Sequence, residues 1–159
     1  MKKNSPAPII PQKERGQSPL ASVRAGRELS VLAQQLCNLE SAGSYTLECS
    51  ADELRDACNE AGFALIDADL KGIKGKQNLF NSLAQAASFP PGFGMNWDAL
   101  ADALCDLSWR EASGYVLLLR NASDTLGLSA NDREIAQDLL ADTVVYWRQR
   151  KKPFWIFFA

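Results

Sequence analysis

The chain has 159 residues, of which 47% are hydrophobic and 23% charged, a composition typical of one globular domain with its own core. It contains no histidine, which excludes Ser-His-Asp and Cys-His catalysis as well as histidine-based metal sites. The net charge of −2 is unevenly distributed: residues 1–27 carry six basic side chains and one acidic one, and the remainder has a net charge of −7. An acidic folded part argues against nucleic acid as the ligand and favours a basic protein partner.

The cysteines and the first residues bear on the compartment. The cysteines show no C-x-x-C spacing and no other sign of a secreted, disulfide-bonded chain. Residues 4–16 lack the apolar run of a signal peptide, and no segment is long and apolar enough to span a membrane. We therefore predict a cytoplasmic protein, not bound to a membrane, with reduced thiols at Cys37, Cys49, Cys58 and Cys105.

The first segment, residues 1–27, is rich in Pro, Ser, Gln and Lys and holds only isolated apolar residues. This composition predicts a disordered basic arm. The arm is short and lacks interleaved aromatic residues, so a solubilising tail or linker is favoured over a nucleic-acid-binding arm. Residues 28–159 are predicted to form a single domain.

Residues 28–61 are predicted to add a helix and a strand-helix unit. Apolar residues spaced by three and four predict a helix over 28–39, and alternation predicts a strand over 45–49. Ser50 and Glu53 form a capping-box pattern that starts a second helix, and Gly62 is a suitable C-cap for it.

The rest of the chain alternates strands with helices. This order predicts an α/β fold with a three- or four-stranded, mostly parallel sheet, right-handed crossovers and helices covering the sheet. The final strand is too apolar to lie at an edge of the sheet. The predicted strands are 63–67, 115–119 and 154–158, and the predicted flanking helices are 77–87 and 132–149.

An acidic helix with a stiff loop before it lies in the middle of this region. Prolines and glycines at 90–94 forbid regular structure, and Asn96 is a suitable N-cap for a helix over 97–107. One face of this helix is apolar, and the other carries Asp98, Asp102 and Asp106 at four-residue spacing. The acids form either a solvated polar face or a row of carboxylates for a cationic partner. The second interpretation is favoured because the loop is expected to present Phe93 as an exposed aromatic beside them.

The motif Phe-Pro-x-x-x-Gly-x-Asn-x-Asp-Ala-Leu-x-Asp-x-Leu over residues 89–104 resembles the central motif of the barstar family, intracellular inhibitors of the ribonuclease barnase. The resemblance covers about residues 62–159 and implies a barstar-like core that follows an added unit at 28–61. In that family the loop and helix cover the nuclease active site. Asp98 and Asp102 match the two aspartates that take the place of the RNA phosphate, Asn96 matches the capping asparagine, and Phe93 matches a loop tyrosine.

The chain also departs from the family pattern. Gly92 and Ala101 stand where the family has aromatic residues, and Tyr146 and Arg150 fall near the positions of an acidic pair. The resemblance therefore implies an inhibitor of a barnase-like ribonuclease with a different rim, and the alternative is a regulatory module that binds another basic partner. The protein is expected to be neither an enzyme nor a cofactor binder, and to be monomeric when free. The predicted partner-binding residues are Phe93, Asn96, Trp97, Asp98, Ala101, Asp102, Cys105 and Asp106.

Two alternatives concern single features of this helix. Asp98 and Asp102 could serve as paired catalytic carboxylates or metal ligands, but the sequence offers no histidine or further acid cluster to complete such a site. Trp97 could be a core residue or an interface anchor, and its place on the apolar stripe favours the core.

Overall fold

The computed structural model describes residues 29–159, so the predicted arm at 1–27 lies outside the described residues. Five α-helices and four strands alternate in most of this range, and two short 3-10 helices lie at Leu39–Ser41 and Ser108–Arg110. The elements are α1 (Val31–Leu36), β1 (Ser44–Thr46), α2 (Ala51–Ala61), β2 (Ala64–Asp69), α3 (Lys76–Ala87), α4 (Trp97–Leu104), β3 (Tyr115–Arg120), α5 (Ala130–Gln149) and β4 (Phe154–Phe158).

The four strands form one sheet in the order β1-β4-β3-β2, and every pair is parallel. Leu117 in β3 lies in register with Ile66 of β2 on one side and with Ile156 of β4 on the other. The predicted α/β fold class is confirmed. As predicted from its apolar run, β4 is an inner strand, because β1 pairs along its other edge.

One face of the sheet is covered by α3, α4 and α5. Phe80 from α3, Leu100 and Leu104 from α4, and Trp147 from α5 pack onto alternate strand residues such as Ile156. This face carries the larger of the two buried clusters, and it fixes the position of α4 relative to the sheet.

The opposite face is covered by α1 and α2. Val116, Leu118, Trp155 and Phe157 point to this side and are completely buried, against apolar residues of α1 and α2 such as Leu54. Two hydrogen bonds add to the packing. The Trp155 Nε1 donates to the carbonyl of Leu36 at 2.8 Å, and the Arg148 Nη2 donates to the carbonyl of Ala42 at 2.6 Å. The segment 29–62 therefore supplies one of the two helical layers of the described structure.

The first predicted helix is shorter than its sequence pattern indicates. The prediction was 28–39, but α1 ends at Leu36 and a 3-10 helix follows. Asn38 explains the break, because its side-chain oxygen accepts a hydrogen bond from the backbone N–H of Ser41 and so caps a new turn. The capping box of Ser50 and Glu53 is confirmed, and Gly62 ends α2 in the left-handed conformation, with φ of 76°.

The thiols differ strongly in expected reactivity. The four cysteines all lie in the described residues, and none of them forms a disulfide; Cys37 is exposed, whereas Cys58 is buried between α2 and the sheet, where burial raises its pKa to about 12. The thiolate is the reactive form, so Cys58 is almost entirely in its unreactive thiol form at pH 8. We expect iodoacetamide to modify Cys37 in the folded protein and to leave Cys58 intact, as read by peptide mass spectrometry. Equal modification of both thiols under native conditions would contradict this packing.

Along residues 29–159, none of the helices combines the length and the apolar composition needed to cross a bilayer.

Candidate partner-binding site

The loop before α4 is held by the side chain that begins the helix. The Asn96 Oδ1 accepts a hydrogen bond from the backbone N–H of Ala99 at 2.8 Å, and its Nδ2 donates to the carbonyl of Gly94 at 3.2 Å. Gly92 has φ of 94°, a conformation that a residue with a side chain rarely adopts. The predicted N-cap is confirmed, and one side chain fixes both the loop and the first turn of the helix.

We expect Asn96→Ala to lower the free energy of unfolding by about 1 kcal/mol, since an N-cap is lost. Asn96→Asp, which keeps the acceptor oxygen, should restore most of that stability. Urea denaturation of the two variants and the wild type measures the difference. An Asn96→Ala variant as stable as the wild type would show that the loop is held by other contacts.

Phe93 lies in the loop, but it is less exposed to solvent than the sequence predicted. Its ring is partly buried and packs edge-on against Phe89, with centroids 4.8 Å apart, and against Phe80, with centroids 6.5 Å apart. The prediction of an exposed aromatic is therefore wrong. Phe80 lies thirteen residues earlier, on α3, so the apolar surface that draws Phe93 inward is formed only when α3 and the loop pack together.

The inner face of α4 is formed by Leu100, Leu104 and Trp97. Both leucines are buried, and the Trp97 ring packs edge-on against Phe80 with centroids 4.9 Å apart. The Trp97 Nε1 is buried and forms no hydrogen bond with a described residue. The structure thus places Trp97 on the inner side of the helix, as the core alternative expects. Ala101 is also partly buried against this cluster.

The helix ends one turn earlier than predicted. Residues 97–107 were expected to be helical, but α4 ends at Leu104, and Cys105 is its C-cap. The Trp147 Nε1 of α5 donates to the carbonyl of Leu104 at 2.8 Å, and Leu107 takes a left-handed conformation with φ of 49°. Asp106 therefore follows the helix, and only Asp98 and Asp102 belong to it.

The three carboxylates are exposed and uncompensated. Within residues 29–159, Asp98, Asp102 and Asp106 form no salt bridge and accept no side-chain hydrogen bond. Asp67 behaves differently, because it pairs with Arg120 at 2.6 Å and with Arg55 at 3.3 Å. The acids at α4 therefore have no ion-pairing role inside the described fold, although the dipole of α4 favours a charge at Asp98.

An open groove of about 290 Å³ separates the loop from α4. Asp102 and Asp106 stand on its helix side, whereas Asp98, Ala101 and Cys105 do not line it. The sequence did not predict this groove, although its prolines and small helix residues could have indicated one. Its apolar lining comprises Phe89, Pro90, Pro91, Gly92, Phe93, Gly94, Ala99, Ala103 and Trp109.

Trp109 is the tryptophan that lines this groove. Its ring packs edge-on against Phe89 with centroids 5.9 Å apart, and its Nε1 donates to the carbonyl of Ala87 at 2.9 Å. Trp109 therefore packs as a partly buried cover over the larger core cluster.

The far side of α4 faces the end of α5. Cys105 is partly buried there; burial raises the pKa of its thiol, against the lowering effect of a hydrogen bond with Thr143. Both Arg150 and Asp102 lie near enough for their charges to act on this thiol. The Arg150 Cζ lies 3.5 Å from the centroid of the Tyr146 ring. From the sequence, Tyr146 and Arg150 appeared only as departures from an acidic pair of the family, and neither was among the predicted partner-binding residues.

A metal site needs several side chains that can bind one ion together. Among residues 29–159, no group of three or more Cys, Asp or Glu side chains is arranged to hold a metal ion. Asp98 and Asp102 stand on successive turns of one helix without a third ligand.

The fold and the site define a class: a parallel α/β protein that displays a capped, acidic helix at its surface. The family model described as Barstar (barnase inhibitor) matches residues 63–159, and the chain belongs to the barstar family. This confirms the resemblance seen in the motif around α4, and the match begins one residue after the predicted start of the core. No curated protein matches the chain.

Proposed function

We propose that the chain is an intracellular inhibitor of a barnase-like ribonuclease, and that α4 and the loop before it cover the active site of the nuclease. The observation that carries the proposal is the pair Asp98 and Asp102: two exposed carboxylates on one helix, without partners among the described residues, inside the segment that matches the barstar family. Uncompensated charges at one surface lower the stability of an isolated helix, and a cationic partner removes that cost.

The mechanism is competitive occlusion. The carboxylates take the place of the RNA phosphate and accept charge-assisted hydrogen bonds from the arginine and lysine side chains that would bind it. Opposed electrostatic fields speed the encounter, and the net charge of −7 over residues 28–159 supplies the acidic side of that field. The inhibitor performs no chemistry and needs no cofactor. It acts as a monomer in the cytoplasm, where it meets the nuclease before the nuclease is secreted or after the nuclease enters the cell.

The target differs from barnase at its rim. Gly92 in the loop and Ala101 on α4 have no aromatic side chain where the family has one, and Phe93 is partly buried against Phe89. The surface therefore offers carboxylates and a groove but little exposed aromatic area. A nuclease that fits it reaches into the groove with its own side chains.

A pull-down from extracts of the host cell tests this proposal, with the wild-type chain compared to the double variant Asp98→Ala/Asp102→Ala. We expect a ribonuclease among the proteins that the wild type retains and the variant loses, and inhibition of that ribonuclease by the wild type alone. Glu40→Ala/Asp56→Ala is the matched control, because it removes two exposed acids from the opposite side of the sheet. If the double variant retains the same ribonuclease and inhibits it fully, the proposal is wrong.

The second candidate is a regulatory module that keeps the barstar fold and binds a different basic protein. The missing aromatic residues favour it, because Gly92 and Ala101 stand where the family has aromatic side chains and Phe93 is only partly exposed. In the same pull-down, this candidate predicts that the protein lost with the double variant is not a nuclease.

A further inference from the structure

Four of the five residues at positions 148–152, at the C-terminal end of α5, are basic, and their side chains make different contacts. Arg148 turns toward the N-terminal unit, where its Nη2 donates to the carbonyl of Ala42 at 2.6 Å. Lys152 lies 3.7 Å from the carboxylate of Glu111. Lys151 is exposed. Arg150 is exposed as well, but its guanidinium is fixed by contacts within its own helix.

Two contacts fix Arg150. Its Cζ lies 3.5 Å from the centroid of the Tyr146 ring, and its Nη1 donates to the carbonyl of Tyr146 at 2.9 Å. A guanidinium stacked on an aromatic ring keeps its remaining N–H donors free at the edge, and it loses less conformational entropy when it binds a carboxylate. Among residues 29–159, no acidic side chain forms a salt bridge with Arg150. Asp102 and Asp142 are the acids whose charges, like that of Arg150, act on the Cys105 thiol.

This guanidinium is part of the same surface as the acidic helix. The end of α5 is joined to the end of α4 by the hydrogen bond from the Trp147 Nε1 to the carbonyl of Leu104. The charges of Asp102 and Arg150 both act on the thiol of Cys105, which follows Leu104. A partner that covers the end of α4 therefore meets both the carboxylate of Asp102 and the fixed positive charge of Arg150.

We propose that Arg150, held on the ring of Tyr146, binds a carboxylate of the partner nuclease next to the basic residues that meet Asp98 and Asp102. This proposal rests on the proposed function. A nuclease with a uniformly basic surface would place a positive charge against Arg150, which is unfavourable at a buried contact. A nuclease with one acidic residue opposite Arg150, and basic residues opposite Asp98 and Asp102, is complementary to the whole surface. Arg150 thus selects among related nucleases, both by attraction to the matching one and by repulsion of the others.

Affinity measurements with barnase as the probe test the proposal, together with barnase variants in each of which one basic residue of the active-site rim is replaced by Glu. We expect at least one of these variants to bind the wild-type chain at least tenfold more tightly than barnase does. Arg150→Glu should reverse that preference, and Arg150→Gln should abolish it. A tenfold coupling corresponds to about 1.4 kcal/mol.

Lys151→Glu is the matched control, because it makes the same change of charge at the next exposed residue and should leave the preference within about threefold of the wild type. The thermal midpoint of each variant checks that the fold is kept. If Arg150→Glu and Lys151→Glu behave alike across the set while Asp102→Ala still weakens binding, Arg150 has no role in selection and the proposed function stands. If no form of the chain binds barnase or any of these variants, selection by Arg150 is overturned, whereas the proposed function is decided by the pull-down.

Discussion

Replacing Asp102 with Ala is expected to weaken binding of the cognate nuclease at least about a hundredfold, or about 2.7 kcal/mol, without loss of stability. Asp102 is the central acid of the proposed site: it lies on α4, between Asp98 and Asp106 in sequence, and it lines the groove. A charge that is desolvated at the centre of an interface leaves its partner unpaired when it is removed, which costs roughly 2–5 kcal/mol.

The free protein should not suffer from the same change. Asp102 forms no salt bridge within the described chain, and its removal relieves repulsion from Asp98 one turn away, worth roughly 0.2–0.5 kcal/mol. The thermal midpoint of Asp102→Ala should therefore equal or slightly exceed that of the wild type. Affinity is measured by titration calorimetry on the ribonuclease recovered in the pull-down.

Two other variants serve as references for Asp102→Ala. Asp98→Ala should lose less affinity, because Asp98 lies at the first turn of α4 and outside the groove. Glu40→Ala should lose none, since Glu40 is exposed on the N-terminal unit. If Asp102→Ala unfolds at a clearly lower temperature while its affinity matches that of Glu40→Ala, Asp102 is a structural residue and α4 is not the inhibitory element.

Removal of residues 1–62, which leaves the segment that matches the family model, is expected to abolish cooperative folding of the monomer. Four completely buried side chains, Val116, Leu118, Trp155 and Phe157, would lose the layer formed by α1 and α2. Burial of such side chains contributes about 1.5–3 kcal/mol each, so the loss amounts to roughly 6–12 kcal/mol. This is comparable to the whole stability of a typical domain, about 5–15 kcal/mol.

The truncation would also change the edge of the sheet. Without β1, the apolar strand β4 becomes an edge strand with unpaired backbone groups, which favours association with other chains. We therefore expect the shortened chain to aggregate or to lose its near-ultraviolet circular dichroism. Size-exclusion chromatography and thermal melts measure both effects.

A chain that begins at Leu29 is the matched control, because it lacks only residues outside the described structure. It should melt cooperatively near the temperature of the full chain. Leu54→Ala in the full chain tests the same contact by one side chain and should cost about 2–5 kcal/mol, since Leu54 is completely buried. If the chain without residues 1–62 is monomeric and melts like the wild type, the segment 29–62 is an accessory rather than a layer of the fold.

The sequence by itself determined the features that depend on local pattern. The continuous apolar run of β4 predicted an inner strand, because a strand covered on both faces and paired at both edges has no polar positions. Asn96 and Ser50 predicted two helix starts, since a cap acts within three residues of itself. The four-residue spacing of Asp98 and Asp102 predicted that both acids lie on the same side of α4.

Only the tertiary structure decided the features that depend on residues distant in the chain. Phe93 turns inward because Phe80 of α3 packs against it, and α4 ends where Trp147 of α5 binds the carbonyl of Leu104. Arg150 and Asp102 both come near the Cys105 thiol because α5 packs beside α4, although Arg150 lies forty-eight residues after Asp102 in sequence. The position of Phe93, the end of α4 and the position of Arg150 all depend on contacts that form only when the helices pack on the sheet. The periodicity of a single segment therefore cannot predict them.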